Sequence, residues 1–120
     1  VSDAFKEFVA EGHGYAGPVL DTANRAIQTA RDHVNEFVPP GEVWLTPSVT
    51  SVAPPIEAGT GDPLFCRQWT ALGVPCLSVP MLCESATGLP YGPQLIMSQG
   101  ADRGLFKVAR AIMELIGEGD

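Results

Sequence analysis

The chain has 120 residues, room for one domain or a piece of one. Hydrophobic residues make up 45% and charged residues 18%, a balance that excludes a disordered chain, and no apolar run approaches the ~18 residues of a membrane span. Fourteen acids against seven bases leave a net charge of −7 spread along both halves, which argues against nucleic acid or an anionic membrane as partner.

Val1 stands where an initiator Met is expected, so it reads as a boundary or a cleavage product rather than a natural start. Asp3 is placed to cap a short helix over residues 4–11, with Phe5, Phe8 and Val9 on one face and Gly12 as its stop. GHGYAG follows, and Pro18 opens a long amphipathic helix. Its apolar residues Val19, Leu20, Ala23, Ala26, Ile27, Ala30, Val34 and Phe37 recur every three or four positions, and Asp21 and Arg25 are spaced to pair. Pro39-Pro40-Gly41 ends it.

Val43–Thr46 is a short apolar run with β-favouring residues, expected as a buried strand. The segment PSVTSVAPPIEAGTGDP is rich in proline and glycine and reads as a long irregular loop, the kind that is functional or lies over a neighbouring surface. Asp62-Pro63 then predicts an N-cap and first helical residue for a helix over Pro63–Leu72, stopped by Gly73. Cys76–Pro80 and Gln94–Met97 are a second and a third strand. The stretch between them, MLCESATGLPYGP, is long for a hairpin and dominated by turn residues. Asp102 is placed to cap a last helix with Leu105, Phe106, Ala109, Ile112, Met113 and Ile116 on its apolar face, ending at Gly117.

The pattern predicts an α/β fold: a partial mixed sheet of about three short strands covered by helices, in a single partial domain over 1–120. Residues 1–41 form a helical pair and 42–120 the sheet-forming segment. Three short strands leave two open edges, so the sheet reads as part of a larger one and self-association is expected.

Self-sufficient chemistry is hard to find. Gly12, Gly14 and Gly17 have dinucleotide-fingerprint spacing, but a helical pattern precedes them where a strand is required, so an interhelical turn is expected. His13 and His33 are the only histidines, and no Cys or His pair has zinc-ligand spacing. Neither a metal nor a cofactor is expected. Cys66, Cys76 and Cys83 are an odd number without a CxxC, expected as reduced thiols in a cytoplasmic protein. Cys66 is the best candidate for a reactive one, but no base is recognisable beside it. A Ser–Lys arrangement would have to use Lys6 or Lys107, and Lys107 lies on a charged helix face beside Arg103 and Arg110. Asp62 and Glu84 are loop carboxylates able to touch a ligand.

Three motifs in order resemble the C-terminal end of the amidase signature hydrolases: VWLTPSVTSVAP, TGDPLFCRQWTALGVPCLSVP and GLPYGPQLIMSQGADRGLFKVARAIMEL. The Gly12–Phe37 segment is similar to the helix that precedes this region in that family. The resemblance implies hydrolysis of carbon–nitrogen amide bonds by a Ser–cis-Ser–Lys triad, all of it upstream of the matched region. Here there is no Ser-Ser dipeptide and no Gly/Ser-rich loop, Cys66 stands where the family often has Asn, and Pro93 follows Gly92 in place of a small aliphatic residue. The resemblance therefore implies a C-terminal segment with no catalytic residue, inactive alone, that packs against the missing N-terminal amidase core. Within it Asp62 is the one substrate-binding candidate, facing an amide small molecule in the complete enzyme. The alternative is a non-catalytic, self-associating structural or regulatory module.

Overall fold

The computed structural model describes residues 2–117; Val1, and with it the reading of the chain's start, lies outside them. Helix α1 spans Asp3–His13, and its N-cap is Ser2, not Asp3: the Ser2 hydroxyl accepts from the Phe5 N–H at 3.3 Å. Asp3, one position later, is the acidic residue of the first turn and receives the Lys6 ammonium at 2.8 Å. The GHGYAG segment is an interhelical turn, in which Gly14 caps α1 and Gly17, at φ 70°, precedes α2. Helix α2 (Pro18–Phe37) starts with proline as expected and ends before Pro39. Arg25 turns to the Thr22 hydroxyl and does not pair with Asp21.

Strand β1 (Trp44–Pro47), β2 (Cys76–Ser78) and β5 (Pro93–Ile96) form one antiparallel sheet in the order β1-β5-β2. Cross-strand partners share a face, so Trp44, Cys76 and Ile96 lie on one side and Leu45, Leu77 and Leu95 on the other. On the first side Ile96 packs with Val34 and Val38 at the end of α2, with Val74, and with Trp69 and Leu72 of α3 (Arg67–Leu72). On the second side Leu95, Val79 and Met97 pack under Leu105 and Ala109 of α4 (Asp102–Gly117). Burying side chains such as Leu95 and Ile96 contributes about 2 kcal/mol each. The expected α/β fragment with its sheet of about three short strands is thus observed, with helices on both faces.

Four expectations are corrected. The middle strand is buried, but β1 is not: Leu45 is 60% exposed, because an edge strand has helices over only part of its length. Helix α3 begins at Arg67 rather than Pro63, and Pro63–Cys66 form a turn whose carbonyl at Pro63 accepts from both Cys66 and Arg67. The stretch between β2 and β5 contains a hairpin that its turn residues concealed, β3 (Leu82–Cys83) against β4 (Pro90–Tyr91). Its turn is closed by Glu84, whose N–H donates to Leu89 and whose carboxylate accepts from the Thr87 hydroxyl at 2.6 Å. In α4, Phe106 and Met113 face outward, while Asp102 is the helix's first residue, and the backbone bond there runs from Leu105 N–H to the Ala101 carbonyl.

Candidate functional site

The long proline- and glycine-rich loop after β1 is anchored at its start by two side chains. The Ser48 hydroxyl, buried, donates to the Gly92 carbonyl. The Gln94 amide donates to the Pro47 carbonyl at 3.0 Å and to the Phe65 carbonyl at 2.6 Å. Gln94 is itself 2% exposed, so losing these two bonds would leave its buried amide without partners. These bonds hold the loop's beginning and the turn that follows it against the same strand. Between them the loop carries one 3-10 turn, Ile56–Ala58.

So held, the loop encloses a cavity of about 550 Å³ with the end of β2 and the start of β5. Ser48 to Pro54, Ile56 and Gly59–Asp62 form one side; Ser78, Val79, Pro80, Pro90, Tyr91 and Gly92 form the other. The size is that of a small-molecule site, typically ~300–1,000 Å³. Gly92 is needed for the close seam at its base, where an added Cβ would overlap the Val79 carbonyl oxygen.

Asp62 sits in the lining, exposed, and is the only charged side chain there. Its expected cap is not formed: no backbone N–H of Leu64 or Phe65 bonds to it, since α3 starts four residues later than predicted. Freed from that task, the carboxylate stands at the mouth of a largely apolar cavity, where it favours a group that donates hydrogen bonds or carries positive charge. Glu84, the other loop carboxylate, is occupied in the hairpin turn and does not line the cavity.

No histidine or lysine lines the cavity. Lys6 is on α1 beside Asp3, and Lys107 is exposed on α4. His13 and His33 lie on the exposed surfaces of α1 and α2, and the His33 imidazole sits 2.8 Å from the Thr29 carbonyl. Among the described residues no group of three or more His, Cys, Asp or Glu is arranged to hold a metal ion. All three cysteines are free. The lining therefore offers shape, hydroxyls and one carboxylate, which can bind and orient a small molecule.

Gln94, Ser48 and Gly92 are the positions that sequence reading undervalued. Of these Gly92 alone had a local signal, its place beside a proline at a strand start.

No family model matches the chain. It is 31% identical over 112 residues to the glutamyl-tRNA(Gln) amidotransferase A subunit of Salinispora tropica, covering 88% of this chain and 21% of that protein. The same-named proteins of Salinispora arenicola and of Anaeromyxobacter sp. (strain K) are 32% and 37% identical over 112 and 83 residues. The chain thus spans about a fifth of the length of these curated relatives. Among the described residues no helix is long and apolar enough to cross a membrane.

Proposed function

We propose, from the premise that this chain is kin to an amidase signature enzyme, that it is the C-terminal segment of an amidase-like hydrolase acting on carbon–nitrogen amide bonds. It lacks the Ser–Ser–Lys triad and is inactive alone; its work is to supply one wall of the substrate pocket. The observation that carries this reading is the 550 Å³ cavity with a single unengaged carboxylate, lined by residues of all three motifs that resemble the family. In the complete enzyme, in the cytoplasm, Asp62 faces the amide or amine end of a small-molecule substrate. The chain packs against the N-terminal amidase core through its open sheet edges. An apolar groove of about 500 Å³ along β1, lined by Leu45, Val49, Leu82 and Tyr91, continues from the cavity and supports that packing.

The test compares this chain with a longer polypeptide that carries a Gly/Ser-rich nucleophile segment upstream. The 120-residue chain alone should leave a simple aryl amide at background hydrolysis. The longer one should turn it over, and Asp62→Ala there should raise KM more than it lowers kcat. Turnover by this chain alone, abolished by Ser→Ala at one of its own serines, would defeat the proposal.

The exposed apolar surface of α1, Phe5, Phe8 and Val9, favours the second reading, a non-catalytic module that self-associates in a structural or regulatory role. A discrete homo-oligomer that gains no activity from the longer polypeptide would decide for it.

A further inference from the structure

Two of the three thiols share one cavity. Cys66 and Cys76 line a pocket of about 440 Å³, with Thr70, Ser78 and Gln94 as its other polar side chains, and no carboxylate, histidine, lysine or arginine in it. The sheet brings them together. Cys76 pairs across to Ile96, and Ser78 to Gln94, so Cys76 and Gln94 lie on one sheet face about two residues apart along the strands, roughly 7 Å. Gln94 in turn grips the Phe65 carbonyl, which sets Cys66 over that same face. Each thiol makes only one weak sulfur bond, Cys66 to the Ser48 carbonyl at 3.4 Å and Cys76 to the Val74 carbonyl at 3.7 Å. Little is lost if either turns. Cys83, by contrast, is away on the β3–β4 hairpin and does not line the pocket.

We propose that Cys66 and Cys76 are a dithiol that closes to an intramolecular disulfide on reaction with a low-molecular-weight disulfide of the glutathione class. The Cys66 thiolate attacks one sulfur of glutathione disulfide, forming a Cys66–glutathione mixed disulfide and expelling one glutathione thiolate. The Cys76 thiolate then attacks the Cys66 sulfur, forming the Cys66–Cys76 bond and expelling the second glutathione. The two protein thiol protons end on the two glutathione thiols, the protein loses two electrons, and the glutathione disulfide gains them. The bond staples the turn before α3 to β2, whose Ser78 also lines the loop cavity.

The resolving step sets the pace. Cys76 is exposed as a residue, but its thiol is partly desolvated; that desolvation, and then the nearby Cys66 thiol, push it up to about 11. Cys66 is the only other titratable group facing it in the pocket. Below that value its thiolate fraction rises about tenfold per pH unit, and closure should accelerate with it.

Incubating the full chain with glutathione disulfide at pH 8 (roughly the ordinary range of thiol exchange) should remove two of its three iodoacetamide-reactive thiols. Peptide mapping should place the crosslink between Cys66 and Cys76 and leave Cys83 labelled. Cys76→Ser should stop at a stable glutathione adduct on Cys66, and the crosslink should be lost when oxidation is done in denaturant. A wild-type chain whose Cys66 adduct persists at the end point with Cys76 still labelled, as in Cys76→Ser, or that crosslinks through Cys83, overturns the proposal whether or not the variants fold. The result is independent of the amidase reading, because no amide substrate enters it.

Discussion

Gly92 is the residue with least room for change. Its backbone lies against Val79 and Met81, and an added Cβ would run into the Val79 carbonyl oxygen, an overlap that no rotamer can relieve. Gly92→Ala should therefore cost about 3 kcal/mol, read as a shift in the urea midpoint at unchanged slope. Asp62 is the opposite case. Being exposed and free of hydrogen bonds, it should tolerate Asp62→Ala with a stability change within about 0.5 kcal/mol, whereas a capping aspartate would lose more. Equal thermal melts for the wild type, Asp62→Asn and Asp62→Ala would bear this out; a clear loss in Ala alone would restore the cap. His33 shows a pH effect. Its imidazole beside the Thr29 carbonyl, and then the Glu36 carboxylate, raise its pKa above the ordinary 6.5. The protonated form is the one stabilised, so the contribution is full below the unfolded value and fades as pH rises through the folded one. A histidine NMR titration should give a midpoint above 6.5, moved down in Glu36→Gln.

At the scale of elements, α1 and α4 differ in kind. Helix α4 buries Leu105 and Ala109 against the sheet, while every residue of α1 is exposed. An isolated helix of 11 residues is marginal in water, where about 12–15 are needed. Backbone amides of α1 should exchange with deuterium within the first time point, and those of α4 around Leu105–Ala109 should be the slowest of any helix. Protection in α1 matching that in α4 would mean that α1 is docked in solution on something, a second copy included. The same contrast explains why periodicity predicted both helices equally well. An amphipathic pattern records which face is apolar, but not whether anything covers it.

The whole molecule is too open for a finished domain. Its radius of gyration is 17.6 Å, against about 14 Å for a compact chain of this length. It exposes 8822 Å², where a monomer of 12.7 kDa shows about 6,200 Å². Apolar surface on α1 and α2 contributes to the excess, and the three-stranded sheet leaves two strand edges unpaired. Sedimentation at ~100 μM should show species heavier than the monomer, and they should shrink when Phe5 and Phe8 are both changed to Ser. A single sharp monomer with a cooperative melt would contradict this.

Residue order alone determined where α2 and α4 run and that Gly73 stops a helix. Each of these rests on local chemistry: a proline that cannot donate, a glycine that can take φ 69°, a repeat of apolar side chains. What the sequence left open was non-local. Gln94 acts by reaching two carbonyls 47 and 29 residues away, at Pro47 and Phe65, and no spacing rule encodes that reach. The same tie governs the start of α3. The Asp62-Pro63 pair favours a helix at Pro63 on local grounds, but Gln94 takes the Phe65 carbonyl out of the helical ladder, and the regular turns begin only at Arg67. Tertiary packing thus released Asp62 from a cap and placed it at the mouth of the cavity, because a buried amide with two carbonyl partners outweighs one exposed capping bond.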